Sequence, residues 1–585
     1  MHVKERLRPA CVDWLKTYHR RALTHDLTAG LVVTLLLLPQ AVAYAMLAGL
    51  PPEAGLYASI LPLLAYAVFG SSRTLAVGPV ALIALMTGAA LGGVAEPGTG
   101  AYWGAAMVLA LLSGVILLVM GLLGLGFLTN FLSHPVVTGF VTASVVLIAA
   151  SQLPHLLGAP AAGFTLPEIA RSTLPELADH LHLPTVLVGF GALGLLVGAR
   201  WGLEPALRRA GFPEGWAVWT PRTAPAVVVL GATAVSWALE LKAHGVAVVG
   251  PLASGMPALA FPGMSTELVL ALLSGAVLIS MVTFVESVSV ARNLAAKRRQ
   301  RVEPDQELLG LGTANVAASV SGGFPVAGGF SRSVVNFEAG AATPAAGAFA
   351  AAGVVGVALY ATPVFTHMPV AALAAAIIVA VVGLIEPRDH VRVWNYSRPD
   401  AAALAVTTLA TLLLGVEVGL ASGVAVSLAL YLHRTSRPHW ALLGRIPGTE
   451  HFRNVQRHHR VETDPRIAFL RIDESFYFAN ARFLEDVVLA LPAEQPHLEH
   501  VVLVCPAVNA VDVSALESLE MVHDRLRDAG IRLHLAEVKG PVRDALRDTR
   551  LLEELSGQVF LSAHEAWKRL KEGQRISALP YHTDS

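Results

Sequence analysis

Gly322-Gly323-Phe324-Pro325-Val326-Ala327-Gly328-Gly329-Phe330-Ser331-Arg332-Ser333-Val334-Val335-Asn336 is a helix-breaking run carrying one arginine. It has a counterpart in the apolar segment after Gly78-Pro79, which fades at Gly92-Gly93 after only about 14 residues. Counted along the chain, the earlier break is third in a first set of seven apolar segments and the later one third in a second set. Seven spans is an odd number, so the two halves are expected to be inverted. Interrupted segments at matching positions of inverted halves point to a transporter site between two half-helix N-termini, near the bilayer midplane. Each such end brings unpaired N–H groups and about +0.5 of a charge, and Arg332 falls within the first turn of the second. Together they offer about +2, which suits an anion. Two plainer readings compete: glycine is a common packing residue in membrane helices, and membrane arginines near helix ends snorkel to the interface. The matched positions weigh against the first, and the neighbouring Gly328, Gly329 and Ser331 favour an inward role for Arg332.

Composition sets the same scene. Of 585 residues, 54% are hydrophobic and 15% charged, with a mean hydropathy of +0.58, whereas soluble domains carry about 25% charged residues. A soluble enzyme is thereby disfavoured. Residues 1–433 hold 22 of the 42 Lys and Arg, leaving 20 for the last 152 residues, which implies lipid around the first three quarters and water around the last. The net charge of -1 offers no concentrated basic face for nucleic acid. Two cysteines, Cys11 and Cys505, give neither a disulfide framework nor a cysteine metal site, and both are expected in a reducing cytosol. The first 25 residues are basic and lack an apolar core, so they read as a cytoplasmic arm, not a cleaved signal peptide.

About 20 apolar residues cross a bilayer. Long, nearly uncharged stretches lie at 102–124, 128–151, 184–199, 223–239, 268–291, 343–361, 369–385 and 401–432, the last long enough for two helices bent at Gly415-Val416-Glu417-Val418-Gly419. The segment from Leu31 is interrupted by Pro39-Gln40 and stops at Leu50-Pro51-Pro52. With fourteen spans and the N-terminus inside, the inner connections near Arg73, 200–222, 292–305 and 386–400 are basic, while the outer ones at 152–183 and 240–267 hold only Arg171 and Lys242. The positive-inside bias therefore supports an even count, with both termini cytoplasmic and the chain multi-pass in the cell (inner) membrane.

The run Leu38-Pro39-Gln40-Ala41-Val42-Ala43-Tyr44-Ala45-Met46-Leu47-Ala48-Gly49-Leu50-Pro51-Pro52, with Gly55-Leu56-Tyr57 and Phe69-Gly70-Ser71-Ser72-Arg73, resembles the signature of the SulP (sulfate permease) anion transporters. Asp305-Gln306-Glu307-Leu308, Gly312-Thr313-Ala314-Asn315 and the run from Gly322 to Asn336 are similar to that family's ninth and tenth spans. The resemblance covers nearly the whole chain. It implies a polytopic helical protein of fourteen spans, a seven-plus-seven inverted repeat in which a core (spans 1–4 and 8–11) moves against a gate (spans 5–7 and 12–14), assembled as a homodimer. It places the substrate site on Gln40 and Tyr44 in the first span, Gly78, Pro79, Val80 and Ala81 at the start of the third, and Gly328, Gly329, Phe330, Ser331 and Arg332 in the tenth. Glu286 matches the acidic position of the eighth. The residue types agree: Gln40, Tyr44 and Ser331 are hydrogen-bond donors, as an oxyanion requires, and the half-helix N–H groups are stronger anion donors still. Gln40 as a helix–helix contact is the alternative.

From about residue 467, short strands (467–472, 501–504, 532–538) alternate with helical stretches at 480–490, 513–528 and 541–550, the pattern of an α/β sheet under helices. It resembles a STAS domain, a relative of anti-sigma factor antagonists. Ser514 lies at the turn where those antagonists carry a phosphorylated serine; a helix-capping role beside Asp512 is the other reading. The expected division is an arm at 1–25, transporter at 26–433, linker at 434–466, STAS domain at 467–575 and tail at 576–585. The linker's His451, His458 and His459 have no metal-ligand spacing.

The expected function is uptake of an inorganic oxyanion, sulfate first, coupled to protons through Glu286, because a carboxylate inside the membrane defaults to a functional role. Its alternative is an ion pair, with Arg332 as partner. Bicarbonate or dicarboxylate uptake and anion exchange suit the same pocket. Sodium coupling is disfavoured, since no cage of carboxylates and carbonyls accompanies Glu286. A membrane-anchored sensor or scaffold acting through the tail is the reading from another class. No enzyme activity, catalytic residue, metal or cofactor is expected.

Overall fold

The computed structural model describes residues 9–16, 18–127, 133–159, 163–175 and 181–571, so the expected tail at 576–585 and the first eight residues of the arm lie outside the described residues. The chain divides into two compact units, residues 1–427 and 428–585.

Among the described residues, fourteen helical passages follow one another. The first seven run over Arg20–Leu47, Pro52–Phe69, Ala81–Leu91, Gly100–Leu123, His134–Leu157, Leu183–Arg209 and Glu214–Ala238. The second seven run over Thr266–Lys297, Pro304–Val320, Phe330–Glu338, Ala345–Tyr360, Val370–Tyr396, Arg398–Leu414 and Val416–Ser436. The third member of each set is short, 11 and 9 residues, and at 1.5 Å per residue neither spans the roughly 30 Å hydrocarbon layer. The bend anticipated near Gly415 is present: Gly415 adopts φ +99° and separates the last two helices.

Two of the expected inner connections are helical over most of their length. The sixth passage continues through Arg200 and Arg208 to Arg209, and the seventh begins at Glu214, so only residues 210–213 of the expected 200–222 connection lie outside helix. Likewise Pro387–Tyr396 is helical. Charged residues form helix as readily as apolar ones once outside the bilayer, and hydropathy marks where lipid ends, not where the helix does.

Passages 1–4 pack with passages 8–11: the ninth against the fourth and second, the eleventh against the first, the eighth against the fourth and third. Gly114 and Gly312 let the fourth and ninth close on each other, since a Cβ on either would lie 2.9 Å from the other's carbonyl oxygen. Small residues at such crossings substitute backbone contact for the hydrophobic drive that lipid removes. The fifth passage packs with the sixth, twelfth and thirteenth, and the seventh with the twelfth.

The second unit is a six-stranded sheet in the order Phe452–Asn454, Trp440–Arg445, Ile467–Ile472, His500–Val504, Arg532–Ala536, Val559–Phe560. The first three are joined antiparallel and the rest parallel. Alternate residues of the central strand serve opposite faces: Val501 and Leu503 pack with Leu484, Val488, Leu519 and Val522, while Val502 and Val504 pack with Phe469 and Trp567. A strand covered on both faces reads as an unbroken apolar run.

Residues 434–466, expected as a linker, carry the strands Trp440–Arg445 and Phe452–Asn454. Ala441, Leu443 and Phe452 are buried in the sheet's core; the exposed His451, His458 and His459 beside them gave the segment its polar look. Among the described residues no cluster of His, Cys, Asp or Glu is placed to hold a metal ion.

Candidate anion site between two half-helices

Gly78 takes φ +153°, open to glycine, and Pro79 has no N–H to donate, so the chain stays extended through Val80 and turns helical at Ala81. On the other half, Pro325 and Gly329 flank the extended stretch that ends where the helix starts at Phe330. The two extended stretches meet as an antiparallel pair, Val77 opposite Gly328 and Gly78 opposite Ala327.

Non-helical backbone at membrane depth survives only where protein satisfies it, and side chains of the eighth, ninth and tenth passages do so for both stretches. Asn315 donates to the Val326 carbonyl and accepts from its N–H, both at 2.9 Å. Ser287 Oγ accepts from Gly328 N–H at 2.8 Å, Ser333 Oγ from Ala76 N–H at 2.9 Å, and Asn336 Nδ2 donates to the Thr74 carbonyl at 3.0 Å. Gly329 N–H donates to the Ala76 carbonyl at 3.1 Å.

Neither half-helix has a side-chain cap, so the first-turn N–H groups at Ala81 and Phe330 are free to face a ligand. Arg332 is only 2% exposed, and its Nε, Nη1 and Nη2 have no hydrogen-bond partner in the protein. Its guanidinium lies over the glycines at the crossing: a Cβ on Gly329 would sit 3.1 Å from Nη2. A guanidinium buried without acceptors is costly, and an anion is the group that removes the cost.

A cavity of about 60 Å³ opens here, lined by Gln40, Tyr44, Pro79, Val80, Ala81, Glu286, Gly329, Phe330, Ser331 and Arg332. Of the residues expected at the substrate site, only Gly78 and Gly328 are not among those lining the cavity; both lie in the antiparallel pair behind it. Glu286 Oε2 is also buried and unpartnered. The ion pair between Glu286 and Arg332 is not formed, because none of the three guanidinium nitrogens bonds a protein atom.

Sequence reasoning missed part of this wall. Ser144, Val145 and Ile148 of the fifth passage and Ala380, Val381 and Leu384 of the twelfth complete it. Ser144 is a buried, unpartnered hydroxyl, but Thr138, Thr142 and Ser151 share its passage, so nothing in the sequence singled it out. Two buried carboxylates brace the bundle elsewhere. Asp26 accepts from Ala342 N–H, Thr343 N–H and Thr343 Oγ at 2.6–3.0 Å. Glu307 accepts from Tyr66 OH, Ser71 N–H and Oγ, and Ser72 N–H at 2.6–3.0 Å.

In the second unit, Asp512 takes the capping role: its Oδ1 accepts from Ala515 N–H at 2.9 Å and its Oδ2 from Phe478 N–H at 2.8 Å. Ser514 is therefore not the cap, and it is exposed in that helix's first turn.

Residues 23–407 match the family described as the Sulfate permease family, and residues 458–566 match the STAS domain. A protein of Arabidopsis thaliana named Sulfate transporter 4.1, chloroplastic, is 34% identical over 570 residues, covering 95% of this chain and 81% of that protein. A probable sulfate transporter of Mycobacterium tuberculosis strain CDC 1551 is 35% identical over 560 residues, covering 95% and 97%. Among solved structures, the murine Solute Carrier 26 family member A9 anion transporter in its inward-facing state is similar with a TM-score of 0.86 at 22% identity, over 97% of this chain and 94% of that one. The transmembrane domain of the cyanobacterial bicarbonate transporter BicA is similar with a TM-score of 0.59 at 21% identity, over 69% and 98%. At such identities the likeness is one of fold. The inverted seven-plus-seven bundle with a STAS domain, the matched half-helices and these relatives lead to one conclusion: the chain belongs to the sulfate permease family of membrane anion transporters and is not an enzyme.

Proposed function

We propose that this protein takes up an inorganic oxyanion, sulfate first, by proton-coupled secondary active transport. The observation that carries this reading is Arg332, buried and without a protein acceptor, between two uncapped half-helix N-termini. The relatives named as sulfate transporters support the choice of sulfate. Cavity size supports a compact ion: about 60 Å³ is far below the 300–1,000 Å³ typical of sites for drug-sized organic ligands.

Gln40, Tyr44, Ser331 and the N–H groups after Val80 and Gly329 act as donors to the oxyanion, and Arg332 supplies the charge. Glu286, lining the same cavity, is the coupling group. Charged, it subtracts about one unit from a site of about +2; protonated, it leaves enough to hold a dianion. Passages 1–4 and 8–11 form the core that carries the site, and the others form the gate. The protein sits in the cell (inner) membrane with both termini cytoplasmic, on the strength of the basic inner connections, and as a homodimer, on the strength of the family resemblance. Ser514, exposed in the second unit, is the regulatory position.

The test is radiolabelled sulfate uptake into proteoliposomes, with bicarbonate, fumarate and chloride as competitors and with or without an inward proton gradient. Saturable uptake that sulfate competes best, driven by the gradient, is the expected result. Uptake indifferent to the gradient sinks the coupling; saturable flux of another anion in preference to sulfate sinks the substrate assignment; no flux of any of them leaves the scaffold reading in its place.

A further inference from the structure

A second cavity, of about 300 Å³, shares Gln40, Tyr44, Phe330, Ser331, Ala380 and Leu384 with the first and extends to Arg200 and Glu204. Arg200 stands in a π-helical turn, Ala199–Leu203, that interrupts the sixth passage; π turns are rare and recur at functional sites.

Three contacts fix the guanidinium of Arg200, and none brings a negative charge. Nη1 donates to the Val379 carbonyl at 2.6 Å. The Trp201 ring centroid lies 5.8 Å from Cζ. The guanidinium also lies against Gly383, where any Cβ would overlap it. Glu204, the acid lining this cavity, is paired at 2.9 Å with Arg208 one turn on. Its charge is thus answered, and that of Arg200 is the cavity's surplus. One guanidinium bond to a carbonyl uses one of five N–H donors, so the group keeps donors and charge for a ligand.

We propose that Arg200 is a second anion-binding station, taking the same class of small oxyanion as Arg332, on the path between the central site and the side that carries the basic connections. The inference rests on the transport reading above, since it concerns the route to that site. An anion leaving Arg332 crosses from one positive group to the next along a shared cavity, which removes the cost of passing uncompensated through an apolar wall.

The test is equilibrium binding of radiolabelled sulfate to the purified full-length protein, with tryptophan emission recorded alongside. Wild type is expected to show two classes of site. Arg332→Ala keeps the weaker class and Arg200→Ala the tighter, while the double variant binds neither. The weaker class should perturb Trp201 emission, so that Arg200→Ala and Trp201→Phe both lose that signal and Arg332→Ala retains it. Gly383→Ala, which displaces the guanidinium without removing its charge, should weaken the second class about tenfold. Should Arg200→Ala fail to fold, Arg200→Gln carries the same expectation. A single class abolished by Arg332→Ala and unchanged in the Arg200 and Gly383 variants overturns this inference and leaves the central site standing. No sulfate bound by wild type overturns both.

Discussion

The guanidinium of Arg332, from the second half of the bundle, rests on Gly78 of the first: a Cβ there would lie 3.4 Å from Nη2 and 3.5 Å from Nη1. Gly78 also holds φ +153°, which an L side chain adopts only under strain. A Cβ at that distance makes only ordinary contact, so Gly78→Ala acts through the backbone: relief of the strain shifts the crossing on which Arg332 rests and should lower sulfate affinity about tenfold, equivalent to about 1.4 kcal/mol. Titration of purified Gly78→Ala with radiolabelled sulfate checks this; wild-type affinity would mean that the contact does not position Arg332.

Glu286→Gln should uncouple binding from pH. In wild type, protonation of the carboxylate raises the positive charge of the site, so sulfate affinity and uptake should rise as outside pH falls. The glutamine is neutral at every pH, so the variant should bind at neutral pH as wild type does in acid, with a flat profile. A pH profile that keeps its slope in the variant assigns the titration to another group.

Glu307 tests the bracing of the bundle, independently of transport. Glu307→Ala leaves the Tyr66 hydroxyl and the Ser71 and Ser72 N–H groups without their acceptor and should destabilise the protein by about 3 kcal/mol. Glu307→Gln, which keeps an acceptor oxygen, should lose less. Thermal unfolding in detergent reads both; equal losses would show that shape, not hydrogen bonding, matters there.

His534 makes the second unit sensitive to acid. It is 2% exposed, and burial, helped by the neighbouring His500 and Arg532, pushes its imidazole down from 6.5 to about 3. It accepts from Gln558 N–H at Nδ1 and lies 3.0 Å from His500 Nδ1 through Nε2, so the neutral ring is the one the fold uses. Below pH 6.5 the unfolded chain takes up a proton that the folded chain refuses. Stability is thus complete above that pH and falls by about 1.4 kcal/mol per unit toward pH 3. Urea unfolding of the second unit between pH 7.5 and 5 measures it, and His534→Gln should flatten the dependence. An unchanged slope in that variant would place the acid sensitivity elsewhere.

How much of this was legible in the sequence depended on the kind of signal. Gly78-Pro79 and Gly328-Gly329 break helices by their own chemistry, so the paired half-helices and the place of Arg332 followed from local rules. Gln40, Tyr44 and Glu286 came from the family resemblance, and the structure sets all three on the same cavity. Ser144, Ala380 and Leu384 were not visible, because they reach the site only through packing of passages far apart in the chain. The acceptors Ser287 and Ser333 escaped for the same reason: a serine in an apolar helix does not announce which backbone group it serves. In the second unit, Trp440–Arg445 was masked by its polar neighbours, since a strand of six residues beside exposed histidines leaves little periodicity to read.

The central claim is that Arg332 holds the transported anion, and sulfate uptake by Arg332→Ala in proteoliposomes tests it most directly. The side chain makes no hydrogen bond to the protein, so the variant should fold and insert as wild type does. Losing a charge-assisted donor to the anion should weaken apparent sulfate affinity by about 30-fold or more, equivalent to about 2 kcal/mol. Wild-type affinity in a correctly inserted Arg332→Ala protein would contradict the account and make the arginine a structural residue.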